Sequence, residues 1–239
     1  MDPTYVAVHA EEDRRHWWFR GRLAVLVAVV RGLVPAGGAR LLELGCGSGN
    51  VLEALAPFGA TVGMETDPTL IAAARAAGVD ARRGALPDDL PVEPGWADVV
   101  LLLDVLEHLD DDVAALRTAR RALRDGGRLV VTVPAYAWLW SGHDVVLGHR
   151  RRYTRPELIA AVGRAGFSVE RCSYFNSLLF PALAAVRLAK RLVGDRGHDL
   201  VRPPEPLNAL LARCFALEAS IVPRVPLPFG ASVLLVGRR

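Results

Sequence analysis

Residues Leu41-Leu42-Glu43-Leu44-Gly45-Cys46-Gly47-Ser48-Gly49-Asn50 constrain this chain most. An apolar run ends around an acid and gives way to three glycines at every second position. A continuous aliphatic run reads as a strand buried on both faces. Glycines at this spacing read as a loop that turns tightly and lets a ligand approach main chain. Residues 51–55 have helical character, so strand, loop and helix form the first unit of a nucleotide-type binding fold. A dinucleotide fingerprint needs glycine at position 50, where this chain has Asn50.

The rest of the chain repeats that unit. Strands are expected at 40–44, 61–65, 80–83, 97–104, 128–134, 167–175 and 232–237. Helices are expected at 69–77, at 111–124 with Gly126-Gly127 as its stop, and at 156–165. Such βαβ alternation implies a mostly parallel α/β sheet with helices on both faces. Two segments fall outside that core. Residues 1–37 form an N-terminal helical lid region, and residues 176–230 a helical insertion or cap. Residues 38–175 are the Rossmann-like core, and 231–239 return as its last strand, making one domain overall.

Bulk properties narrow the setting. A chain of 239 residues, 51% hydrophobic, suits one α/β domain with a sizeable core. Net charge is +3, and residues 150–202 hold eleven Arg or Lys against four Asp or Glu. Three scattered cysteines, Cys46, Cys172 and Cys214, make no metal pattern and no disulfide framework, so a cytoplasmic setting is expected. The polar, acidic start argues against a signal peptide, and no apolar stretch reaches the ~20 residues that span a bilayer.

Glu43-x-Gly45-x-Gly47-x-Gly49 resembles motif I of the class I S-adenosylmethionine (SAM)-dependent methyltransferases. Asp104-Val105-Leu106-Glu107-His108 is similar to a second hallmark of many small-molecule members, and the two motifs cover residues 38–135. The resemblance implies sheet order 3-2-1-4-5-7-6 with strand seven antiparallel, and SAM as cofactor, leaving S-adenosylhomocysteine. It implies that Gly45, Cys46, Gly47 and Gly49 pass under the methionine half. Glu43 either orients that loop or meets the ammonium through water. Glu65, with Thr66 beside it, stands where an acid can accept both ribose hydroxyls. Many relatives carry an Asp for the adenine amino group where this chain has Ala85, so backbone of Ala85 and Leu86 is the expected substitute. Asp104, Val105 and His108 complete the pocket, and Arg22 and Trp18 are candidates to fold over it, the guanidinium meeting the methionine carboxylate.

The same resemblance extends to quinone-biosynthesis O-methyltransferases, whose Glu-x-x-Glu-His is linked to Mg²⁺. Here the first position is Asp104, and no metal is expected. Glu107 and His108 are read instead as capping the next helix and bracing the pocket.

Methyl transfer needs an aligned nucleophile, excluded water and sometimes a base. The segment after strand five supplies the candidates: His143 first, His149 second, and the Tyr153 hydroxyl. Aromatic residues at 136, 138 and 140 are expected to wall an apolar acceptor. Thr154 is expected to cap the following helix.

Nucleic acid is disfavoured as a substrate, because no Asn/Asp-Pro-Pro-Tyr motif or RNA module is present. The expected partner is a small-molecule acceptor, lipid-like or quinone-like. Arg187, Lys190 and Arg191 make a basic stripe on a helix at 181–193, with Leu179, Leu183 and Val186 on another face, suggesting peripheral membrane contact. A homodimer is compatible with the sequence. The rivals are a SAM-binding protein that transfers no methyl or runs another reaction, and a nicotinamide-dependent oxidoreductase.

Overall fold

A computed structural model describes residues 11–35, 37–192 and 201–239. Seven strands form one sheet in the order β3-β2-β1-β4-β5-β7-β6. They are β1 (Ala39–Leu44), β2 (Gly59–Glu65), β3 (Asp80–Arg83), β4 (Ala97–Leu103), β5 (Leu123–Pro134), β6 (Ser168–Phe175) and β7 (Ser232–Arg238). The first five pair in parallel, while β7 runs antiparallel to both β5 and β6. The expected Rossmann-like order and the reversed last strand are both present.

Period-two alternation sends each strand's side chains into two cores. Val100 and Leu102 of β4, Val131 of β5 and Leu235 of β7 join one cluster. Val99 and Leu101, Val130, and Leu234 join the other. Helices α4 (Asp112–Ala122) and α6 (Arg155–Arg164) cover the first face. The second is covered by α1 (Trp17–Arg31), α2 (Asn50–Leu55), α7 (Phe180–Leu192) and α8 (Glu205–Ala216). Helix α3 (Pro68–Ala76) packs beside β2 and β3 in a smaller cluster, and α5 (Gly142–Leu147) is a short turn after β5.

Three local expectations need correction. Helix α4 ends at Ala122, and Leu123 already lies in β5, so Gly126 and Gly127 form a turn inside that strand element. Its N-cap is Asp111, whose carboxylate accepts from the Ala114 N–H at 2.8 Å, so Glu107 and His108 do not cap it. In α7, Arg187 lines the cavity and Val186 is exposed, so for these two residues the expected faces are exchanged. The side chains of Lys190 and Arg191, and residue 193, lie outside the described residues. By contrast, Thr154 does cap α6, in a reciprocal capping box with Glu157.

The insertion is fastened at two points. Glu218 is buried and accepts three backbone N–H groups, from Asn176, Ser177 and Leu178, at 2.6–2.9 Å. Asn208 of α8 is buried and accepts from Trp17 N–H at 2.8 Å while donating to the Arg15 carbonyl at 2.9 Å. Between them Phe215, fully buried, sits on Gly21 of α1, where an added Cβ would stand 2.5 Å from the ring. Gly21→Ala should therefore overpack the α1–α8 seam and cost about 1–3 kcal/mol, read as a lower urea midpoint with unchanged m-value.

Candidate functional site

A cavity of about 840 Å³ opens at the carboxyl ends of β1, β2, β4 and β5. It sits where the sheet order reverses between β1 and β4, the place such folds bind ligands. Its size is toward the upper end of the ~300–1,000 Å³ typical of ligand sites, which leaves room for more than one small molecule.

The glycine loop forms its floor. The N–H groups of Gly45 and Cys46 both donate to the Met64 carbonyl, at 2.8 and 3.0 Å, tying the loop to β2. Gly45 has φ 85°, and a Cβ there would lie 2.6 Å from the Val105 side chain. Gly47 has φ 54° and faces open space, which leaves its backbone accessible. Glu65 latches the loop from the next strand. Its Oε2 accepts from Gly47 N–H at 3.0 Å, and its Oε1 from Thr66 N–H at 2.7 Å. An unforeseen segment braces the loop from outside: Asp13 accepts from the Ser48 hydroxyl, and Asn50 donates to the Asp13 carbonyl at 2.7 Å.

Of the cofactor-binding candidates, all but Gly49 line the cavity. Gly49 lies beneath it, as the N-cap of α2 against Val79 and Ala74. Thr66, Leu86 and His108 face the cavity, as does Ala85, whose N–H is taken by the Asp89 carboxylate at 2.8 Å. Arg22 pairs with Asp104 at 2.6 Å, and its guanidinium carbon lies 5.1 Å from the Trp18 ring centroid.

The segment after β5 is built around a residue that sequence reasoning passed over. Asp144 is fully buried and takes a two-pronged bond from Arg152, at 2.7 and 2.9 Å. The same carboxylate accepts from Ser141 N–H at 2.9 Å and meets His149 Nδ1 at 2.8 Å. These partners hold the Asp144 carboxyl far below the ordinary range, against the opposing pull of burial. The signal was the Ser141-x-x-Asp144 capping box that opens α5. With Nδ1 committed to Asp144, the Nε2 of His149 is the nitrogen left for other work.

His143 also lines the cavity, with its ring 6.5 Å from that of His149. Tyr153 is not brought to the cavity: it is buried, and its hydroxyl donates to Asp112 at 2.9 Å. Tyr136, Trp138 and Trp140 do not line it either. Tyr136 and Trp138 instead stack with each other, next to Tyr174 and Phe180. The aromatic wall comes from Trp17, Trp18, Phe19 and Phe180.

Glu107 is fully buried with neither carboxyl oxygen hydrogen-bonded, and burial next to Asp104 drives its pKa well above the ordinary value. One ligand atom each of Glu107, His108 and His149 lies within 4.8 Å of the others. A carboxylate with two imidazoles suits a transition ion better than Mg²⁺, which prefers oxygen. His108 is pushed down to about 4, by burial and then by His149, so its ring is neutral at neutral pH.

Glu43 is the second acid left without a partner. It is 3% exposed, and its Oε2 makes no hydrogen bond. Burial raises its pKa to about 8, with Arg22 opposing and Glu65 adding to the rise. Arg22 Nε, also buried, has no acceptor. An unanswered carboxyl and an unanswered guanidinium N–H in one cavity fit the ammonium and carboxylate of an amino-acid moiety, as SAM carries. For the free protein the sign is definite. The fold keeps a proton on Glu43 that the unfolded chain releases near its ordinary value of 4.5. Stability contributed by Glu43 therefore falls as pH rises from about 4.5 to about 8. Glu43→Gln should flatten part of that decline, read as the thermal midpoint across the same window.

Residues 10–171 match the family model described as a methyltransferase domain. The ubiquinone biosynthesis O-methyltransferase of Xylella fastidiosa is 40% identical over 160 residues, a match spanning 59% of this chain and 65% of that protein. Among solved structures, the TehB-like SAM-dependent methyltransferase of Corynebacterium glutamicum superposes with a TM-score of 0.59 at 19% identity, over 99% of this chain and 98% of that one. The cyclase SpnF does so with a TM-score of 0.59 at 23% identity, over 92% and 81%. At those identities the structures speak for the fold, while the family match speaks for the chemistry. The chain belongs to the methyltransferase-domain family.

Proposed function

We propose that this enzyme transfers the methyl group of SAM to a hydroxyl of a small, largely apolar acceptor, with His149 as the base. The observation that carries this reading is the Asp144–His149 pair at 2.8 Å beside the glycine-floored cavity. SAM supplies the electrophilic methyl. In this chain Glu65 accepts from the ribose, Glu43 and Arg22 answer the amino-acid end, and Trp18 and Phe19 keep water out.

Oxygen is favoured as the methylated atom because a hydroxyl needs its proton removed at or before transfer. A carboxylate-oriented imidazole does that near neutral pH. His143 also lines the cavity and is placed second. The relatives named as O-methyltransferases support the same choice of atom. A lipid-like or quinone-like acceptor is supported by the aromatic and aliphatic lining contributed by α1 and α7.

A metal-assisted variant is favoured by one observation, the Glu107, His108 and His149 grouping around the orphaned Glu107 oxygens. Calorimetric titration with Zn²⁺, Mn²⁺ and Mg²⁺, and activity after chelation, distinguish it. Heat of binding lost in Glu107→Gln would favour the metal; activity indifferent to chelation would favour the imidazole alone.

The cofactor test comes first. Saturation at a hundredfold over the dissociation constant stabilises by about 2.7 kcal/mol. SAM and S-adenosylhomocysteine should each raise the thermal midpoint, NADH should not, and Glu65→Ala should weaken both shifts. Transfer of a tritiated methyl to hydroxylated aromatics or lipid extract should then fall about 10²–10⁴-fold in His149→Ala, with the cofactor shift kept. An unaltered rate in that variant would reject His149 as the base.

A further inference from the structure

Helix α7 is built with its polarity reversed. Across residues 178–189 Arg187 is the one polar side chain, and it lines the cavity together with Phe180 and Leu183 at i, i+3 and i+7. Its guanidinium donates to the Leu139 carbonyl at 3.4 Å. The opposite face carries Ala182, Ala185, Val186, Leu188 and Ala189, with Val186 53% and Leu188 46% exposed. A surface helix of a water-soluble domain ordinarily does the opposite.

Helix α8 shows a related pattern. Asn208, Ala212 and Phe215 turn inward. Leu207 and Leu210 of α8 are exposed at i and i+3, as are Leu217 in the 3-10 turn that follows the helix and Ile221 just beyond it, Leu210 at 56% and Leu217 at 62%. Leu183 of α7 and Phe215 of α8 pack into the same apolar cluster, so both helices cover the same side of the sheet. Ten of the thirteen exposed large apolar side chains among the described residues fall within 176–230, so the exposure is a property of the insertion. Concentrated exposure of this kind marks an interaction surface.

Charge selects the occupant. Arg213 and Arg224 are exposed in the insertion, while Arg202 pairs with Glu12 at 3.6 Å. Its acids among the described residues are Glu205, ion-paired with Arg20 at 3.1 Å, and Glu218, which is buried. Exposed leucines together with Arg213 and Arg224 complement anionic headgroups over acyl chains. A second copy docking through the same face would set arginine against arginine. The inner face of α7 borders the cavity, so a molecule held in a bilayer under this helix lies next to the site.

We propose that the outward face of α7 and α8 docks on an anionic lipid bilayer and takes the acceptor from it. The docking stands on the exposed face alone, and only the acceptor clause rests on the methyl-transfer reading. Purified protein would be co-sedimented with phosphatidylcholine vesicles with and without phosphatidylglycerol, at low and high salt. Wild-type protein should pellet with the anionic vesicles and be released by salt. Val186→Asp with Leu188→Asp, or Leu210→Glu with Leu217→Glu, should abolish pelleting. Arg213→Gln should reduce partitioning about fivefold. Circular dichroism and the S-adenosylhomocysteine thermal shift check that each variant folds. The wild-type lipid and salt comparison stands without any variant. Failure to pellet, pelleting indifferent to lipid charge, or a dimer in sedimentation velocity that the Asp and Glu variants dissolve would overturn the proposal. Pelleting that persists while no adenosyl ligand shifts the midpoint would sink the cofactor reading and leave the docking intact.

Discussion

Asp144 has no exposed surface, yet a guanidinium, an imidazole and a backbone N–H all converge on it. A carboxylate in that position is costly to desolvate, and its partners must more than repay the cost for the charge to persist. They do, as the strongly lowered pKa of the group indicates. Arg152 also donates to the Ala135 carbonyl at 3.0 Å, so the ion pair ties α5 to the end of β5. The loop after β5 thus takes its shape from one buried charge. The orientation of His149 follows from the same bond.

For two other buried acids the balance runs the opposite way. Glu107 has no hydrogen bond at either carboxyl oxygen and Glu43 none at Oε2, and for both desolvation dominates. Asp144, Glu43 and Glu107 are therefore pushed in different directions by their surroundings alone. A cationic ligand entering the cavity is met by acids able to ionise in its favour. A sulfonium with an ammonium is such a ligand.

The strands were legible because their side chains are buried on both faces, which leaves uninterrupted aliphatic runs such as residues 99–103. The third strand, short and charged, was legible from its place between helix and loop. The meeting of Gly45, Glu65 and Asp104 at one cavity was equally legible, since they sit at strand ends that the fold brings together. What lay beyond β5 was harder to read. Tyr136 adopts φ 57°, a conformation that no local pattern of residues announces, and the aromatic run turns away from the cavity there. Tyr153 was misjudged because an exposed loop hydroxyl and a buried one bonded to Asp112 look alike in sequence. In α7 the periodicity identified two faces, but periodicity does not say which of them meets water.

The seam between Gly21 and Phe215 has a mechanical consequence. The same helix that receives the insertion carries Trp18 and Arg22 into the cavity, three residues before that glycine and one after it. Insertion and cavity wall thus meet along one helix, through a single ring. Any change in the seat of Phe215 falls on the same turn of helix that brings Arg22 to the cavity.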